Sequence, residues 1–174
     1  MKIESIPSVR GMRLAAKSRL PKAVFDFIDG GSDDESTLAR NTGDFADYTF
    51  APRVLRDVSE RRIDRAIFGR KSSAPIIIAA TGLAALARPG AELLLAKVAK
   101  AHDIPFTLST AASCSIEDIA GVDPERRWFQ LYVFKNREVT RDLMRRAAAS
   151  GYEALAVTAD VPVLGKRERD VING

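Results

Sequence analysis

One cysteine, Cys114, and one histidine, His102, are all that 174 residues offer of two chemically versatile types. A lone cysteine excludes an intramolecular disulfide framework and a Cys-based metal site. A lone histidine leaves a His-rich metal centre or a His-based triad hard to assemble. No apolar run reaches the ~18 residues of a membrane-spanning helix. The opening MKIESIPSVRGMRLAAKSRLPK lacks the continuous apolar core of a secretory leader. The location read from these absences is cytoplasmic. There is also no long Lys/Arg run and no Cys/His finger spacing. Arg61-Arg62, Arg126-Arg127 and Arg145-Arg146 lie far apart in sequence. The net charge of +4 therefore describes solubility and steering, and no nucleic-acid partner is expected.

What is present is an ordinary globular composition, 46% hydrophobic and 29% charged, in a length that fits one domain. Residues 8–30 read as a helix broken at Leu20-Pro21, with Ala23, Val24, Phe27 and Ile28 at helical spacing and Gly30-Gly31 as its stop. Asp33, Asp34 and Glu35 mark the start of a second helix to about Phe45, as solvated, dipole-facing acids. Tyr48–Val54 and Ile63–Phe68 read as short extended pieces before a turn at Gly69–Ser73.

From Ala74 the rhythm is regular. The predicted strands are Pro75–Ala80, Pro105–Ser109, Arg127–Val133 and Ala154–Thr158. Between them fall helices from Pro89-Gly90 to about His102, at Ser115–Ile119, and from the cap Asn136 to Ser150. Ser115 and Asp118 stand at capping-box spacing. Apolar strands alternating with amphipathic helices argue for an α/β parallel sheet covered by helices. Open doubly wound sheets and (β/α)8 barrels both satisfy this pattern. Thr81-Gly82-Leu83-Ala84-Ala85-Leu86 follows the first strand, so the Gly-rich dinucleotide fingerprint is absent. Four strands are half of a barrel that typically takes about 250 residues, and the expectation is of a chain truncated after its fourth strand.

Each strand ends in small or polar residues: Thr81-Gly82, Ser109-Thr110, Gln130 with Tyr132, and Thr158 with Asp160. Gln130 and Tyr132 are two apart on a strand and so share a face. An amide and a phenol on one face of an apolar strand need hydrogen-bond partners there. Carboxyl ends of parallel strands are where such sheets build their sites. Donors and acceptors uncharged apart from Asp160 suit a flat polar ligand such as a flavin ring better than a phosphate or a metal.

The chain resembles the FMN-dependent 2-hydroxy-acid oxidases and dehydrogenases (the glycolate, lactate and mandelate enzymes) from about Leu20 to Asn173. The resemblance is carried by Asp29-Gly30-Gly31-Ser32-Asp33-Asp34-Glu35-Ser36-Thr37-Leu38, Pro52-Arg53-Val54-Leu55-Arg56-Asp57-Val58-Ser59 and Thr81-Gly82. It continues through Leu108-Ser109-Thr110, Ser115-Ile116-Glu117-Asp118, Trp128-Phe129-Gln130-Leu131-Tyr132-Val133, Thr158-Ala159-Asp160 and Arg167-Glu168-Arg169-Asp170.

The resemblance implies the (β/α)8 TIM-barrel fold. Residues 1–73 would form an N-terminal helical segment and short β-hairpin covering the barrel bottom. Residues 74–174 would be the first half of the FMN-binding barrel, roughly its first four β/α units. It implies FMN held by Ala80, Thr81, Gly82, Ser109, Gln130 and Thr158, with no metal. Tyr132, Arg167 and, more remotely, Phe27 would face the substrate. The implied reaction oxidises an L-2-hydroxy acid to the 2-oxo acid, with oxygen, a quinone or a cytochrome as electron acceptor. A homo-oligomer is implied for the complete protein, and peripheral attachment at the inner membrane face is a second possible location.

Three positions depart from the family's pattern: Phe27 where a tyrosine is usual, Ala80 where a proline is usual, and Ala111 where glycolate enzymes carry a bulky aromatic. Phe27 and Ala111 together point to a larger, apolar substrate side chain. The family's base histidine, ring-side lysine and paired arginines belong to the second barrel half, so no catalytic residue is expected in these 174. His102 reads as a surface residue ending an outer helix, Cys114 as inert, and Lys166 as unrelated to the family lysine. Arg169 and Asp170 read as a solvated loop. The alternative function is a non-catalytic half-barrel serving as an interaction module or remnant.

Overall fold

The computed structural model of the chain describes all residues except 1–2, 123–124 and 161–162. In chain order its helices are α1 (Val9–Lys17), α2 (Lys22–Asp29), α3 (Ser36–Gly43), α4 (Ala91–Ala101), α5 (Ile116–Val122), α6 (Arg137–Ala149) and α7 (Glu168–Asn173). The strands are β1 (Arg65–Ile67), β2 (Arg70–Ser72), β3 (Phe106–Ser109), β4 (Arg127–Leu131) and β5 (Ala154–Val157). The residues sort into two compact units, Met1–Arg56 with Val161–Gly174, and Asp57–Asp160.

In the first unit, the Ser8 hydroxyl accepts from the Gly11 N–H at 3.1 Å and starts α1. Pro21 separates α1 from α2, and α2 stops at Gly30. The expected helix from Asp33 to Phe45 is shorter, because Asp33 and Glu35 both take positive φ and the chain turns helical only at Ser36. It also ends earlier, Asp44–Asp47 tightening into one 3₁₀ turn. The predicted solvated loop at Arg169-Asp170 is instead α7. Its Arg169 donates to Asp29 at 3.1 Å and also to Glu35. The acids of the Asp33–Glu35 segment are thus not all solvated. Pairing with α7 recruits Glu35, a contact between residues too distant in sequence for periodicity to reveal.

The second unit holds, besides the β1-β2 pair, a parallel sheet in the order β3-β4-β5, with Ser109 beside Gln130 and Gln130 beside Ala156. Phe106, Leu108, Phe129 and Leu131 face the helices and form the core with Ala96, Ala99, Ile116, Ile119 and Ala147. The register places Thr107, Ser109, Trp128 and Gln130 on the opposite face. Both predicted caps form: Ser115 and Asp118 exchange bonds of 3.0 and 2.9 Å, and Asn136 accepts from Glu138 N–H at 3.0 Å. Glu117 of α5 meets Arg146 of α6 through two bonds of 2.8 Å.

Three expected extended segments are corrected. Pro75–Ala80 contracts to a single bridge in which Ile78 donates to Pro105 O and accepts from Thr107 N–H, each at 2.9 Å. Pro105 has no N–H, so the ladder cannot continue toward Ile76. Tyr48–Val54 forms no strand, and Ile63–Phe68 shrinks to β1 of a hairpin. Phe68 and Gly69 both have positive φ, as a two-residue hairpin turn requires.

Candidate functional site

The carboxyl ends of β3, β4 and β5 meet around one side chain. Gln130, only 8% exposed, is the last-but-one residue of β4. Its Oε1 accepts from the Thr110 backbone N–H at 3.1 Å and from the Ser109 hydroxyl at 3.2 Å. A backbone N–H can only donate, so the carboxamide atom facing it must be oxygen. The amide nitrogen therefore turns the other way, and Nε2 donates to Thr158 Oγ1 at 2.7 Å. Three of the residues picked out from strand ends, Ser109, Gln130 and Thr158, are thus one connected cluster.

The polarity of this cluster follows from valence. Ser109 spends its proton on Gln130 and accepts from Ala111 N–H at 3.1 Å, which leaves it an acceptor. Gln130 Nε2 retains a second N–H, and Thr158, having accepted, retains its O–H. The edge offers two neutral donors and one acceptor, with no charge among them. Such a set fits the carbonyl and imide edge of a flavin and gives no support for a phosphate.

Gly82 and Ala111 border the cluster. A Cβ placed on Gly82 would come within 3.2 Å of Ala111 Cβ and 3.7 Å of Ser109 Oγ, so the two small residues let the loops after Ile78 and after β3 approach. Leu83 N–H donates to Ala111 O at 2.9 Å and ties these loops together. Ala80 is half-buried, and Thr81 is exposed with only a long 3.5 Å contact from its hydroxyl to Ala79 O. Glu92 of α4, 2% exposed, accepts from Ser113 N–H at 2.9 Å and anchors the far end of the β3 loop. That support joins residues 21 positions apart and was not legible in the sequence.

Tyr132 follows β4 and is 49% exposed. Phe27 and Arg167 belong to the other compact unit and are brought together there. The Arg167 guanidinium lies 5.3 Å from the Phe27 ring centroid, donates to the Phe27 carbonyl, and holds Asp170 at 2.6 Å. Close by in the same unit, Arg13 holds the Asp29 carboxyl below the usual range, with Arg169 adding to the effect.

The remaining reactive groups lie elsewhere. His102 is the exposed residue ending α4, at the amino end of β3 and so away from the Gln130 cluster. Burial, with Glu92 and Asp118 nearby, pushes the Cys114 thiol up to about 11, which suits an inert side chain. Lys166 pairs with Glu168 at 3.0 Å. No group of acidic, His and Cys residues suited to a metal occurs among the described residues.

Parallel strands whose ends carry a neutral amide–hydroxyl cluster define an α/β protein with a candidate site at the strand ends. Residues 16–174 match the family model of the FMN-dependent dehydrogenases, and the chain belongs to that family. FMN is the cofactor of that family. An L-lactate dehydrogenase from Vibrio parahaemolyticus is 44% identical over 93% of this chain and 43% of its own length. Spinach (Spinacia oleracea) glycolate oxidase is 42% identical over 97% of this chain and 46% of its own length. The solved structure of a soluble mutant of the membrane-associated (S)-mandelate dehydrogenase from Pseudomonas putida superposes with a TM-score of 0.91. It is 42% identical over 95% of this chain and 47% of its own. The chain thus spans a little under half the length of these relatives. No helix among the described residues is long and apolar enough to cross a membrane.

Proposed function

We propose that these residues form the first half of a (β/α)8 barrel, residues 74–174 following an N-terminal segment of residues 1–73, and that the complete protein oxidises an L-2-hydroxy acid to the 2-oxo acid with FMN. The observation that carries this reading is the Gln130 hub, which joins Ser109, Thr110 and Thr158 at 2.7–3.2 Å. Gln130 and Thr158 would hold the ring edge as donors and Ser109 as acceptor, while Ala80, Thr81 and Gly82 would line it. FMN bound there supplies the two-electron acceptor for the oxidation. Tyr132, with its phenol exposed beyond β4, would orient the substrate's carboxylate or hydroxyl. The family resemblance alone carries Arg167 and Phe27 to the substrate side.

A general base must reach the proton it removes, and His102 lies at the opposite strand end from the hub. The 174 residues by themselves are therefore proposed to be inactive, the base coming from outside them. Phe27 and Ala111 in place of bulkier or hydroxylated side chains favour an apolar substrate side chain larger than that of glycolate. The complete protein would lie in the cytoplasm, with peripheral attachment at the inner membrane face as its second location; the similarity to a membrane-associated mandelate dehydrogenase supports attachment to a membrane.

The test is to purify the complete protein and measure bound flavin and anaerobic bleaching by 2-hydroxy acids. Stoichiometric FMN that lactate or mandelate bleaches is expected. A folded, colourless protein that takes up no FMN overturns the proposal and favours the non-catalytic module.

A further inference from the structure

We infer that Thr110 is the positioning residue of this site, its backbone setting the orientation of the Gln130 amide and its hydroxyl fixing the strand end that carries Tyr132. The inference rests on the role proposed above for Tyr132 and adds to it the means by which that side chain is placed.

The β3–β4 ladder ends at the pair Ser109 and Gln130. One step further, Thr110 would stand opposite Leu131. In a parallel ladder such a residue uses its own N–H and C=O to bond the carbonyl before, and the N–H after, the residue it faces. Those two groups on β4 are Gln130 O and Tyr132 N. Thr110 serves both with its side chain: Oγ1 donates to Gln130 O at 2.5 Å and accepts from Tyr132 N–H at 3.1 Å.

Its backbone N–H is thereby released from the ladder and goes to Gln130 Oε1 at 3.1 Å. One residue thus performs two tasks. The N–H decides that Gln130 points its nitrogen toward Thr158. The hydroxyl continues the strand by one more step, so that Tyr132 leaves β4 in a set direction. Leu131 O accepts from Thr158 N–H at 3.1 Å, so the β5 side of this strand end is held by ordinary ladder pairing. The Thr110 hydroxyl is its counterpart on the β3 side.

The two tasks separate by mutation, since Thr110→Val removes the hydroxyl and keeps the N–H. In the complete FMN-loaded protein, T110V is expected to keep its flavin content and visible spectrum. Its kcat/KM for the 2-hydroxy acid should fall about tenfold, the size of one net hydrogen bond. Thr110→Ser restores the hydroxyl and should restore kcat/KM to within about twofold, a rescue that a purely steric role of the threonine methyl would not give. Combined with Tyr132→Phe, T110V should add little further loss, because both act on one group.

If Y132F lowers kcat/KM and T110V does not, the inference is overturned while the assignment of Tyr132 stands. If T110V loses its FMN, the hydroxyl acts on the whole strand end and the inference is likewise overturned. If Y132F itself has no effect, the assignment of Tyr132 fails and the inference falls with it.

Discussion

Gln130 Nε2 donates to Thr158 Oγ1 at 2.7 Å, joining side chains 28 positions apart at the ends of adjacent strands. The same amide accepts from Ser109 and Thr110 on the other side, so its three contacts to two chain segments fix both its place and its direction.

Replacing this amide tests that arrangement through stability alone. Gln130→Leu leaves the Thr110 N–H and the Ser109 hydroxyl without their acceptor, at about 1–3 kcal/mol for each group that finds no water. Gln130→Glu keeps an acceptor in place, and Thr158 can turn its O–H to donate to it. In urea denaturation the expected order is wild type, then Glu, then Leu, with Leu lower than wild type by about 2 kcal/mol. A leucine variant as stable as wild type would contradict the network.

Arg127, 3% exposed, makes a second long-range tie. Its guanidinium donates to Ala120 O in α5 at 2.9 Å and to Ser150 O at the end of α6, and lies 5.2 Å from the Tyr152 ring centroid. A planar fork reaches two carbonyls at once, which an ammonium group does less well. Arg127→Met is expected to cost about 2–4 kcal/mol, and Arg127→Lys less, by chemical denaturation. Equal losses for the two would show that packing, and not the fork, holds the helix ends.

Glu117 predicts an acid limb to stability. Its carboxylate, held by Nε and Nη2 of Arg146, falls from 4.5 to about 2. A pKa depressed by folding gives stabilisation that is complete above the unfolded value and is lost as pH falls through the folded one. Wild type should therefore lose stability relative to Glu117→Gln between about pH 4.5 and 2, and the two should run parallel above pH 6. Thermal melts across that range make the comparison; a constant difference down to pH 2 would mean the pair is not formed.

Local chemistry was the legible part of the fold. Proline and glycine at Pro21 and Gly30 bracket α2, Asn136 caps α6, and the Ser115–Asp118 box opens α5, each through contacts a few residues long. Strand cores were legible from apolar runs. Pairing lengths were not: the strand at Pro75–Ala80 is a single bridge, and a proline in its neighbour, Pro105, blocks the ladder on the Ile76 side. Helix α7 was missed because its six residues carry no apolar stripe, and its Arg169 finds partners in Asp29 and Glu35, more than 130 positions away.

The sequence by itself determined that the chain is α/β, that its strands end in polar residues uncharged apart from Asp160, and that Gln130 and Tyr132 share a face, because side-chain alternation is a property of the strand alone. Its ordered motifs also carried the likeness to the FMN family. Only the tertiary structure decided that Ser109, Gln130 and Thr158 form one cluster, that Thr110 replaces a rung of the ladder, and that Phe27 lies against Arg167. Hydrogen-bond direction depends on which groups folding brings within about 3 Å. For residues on separate strands, register sets that proximity.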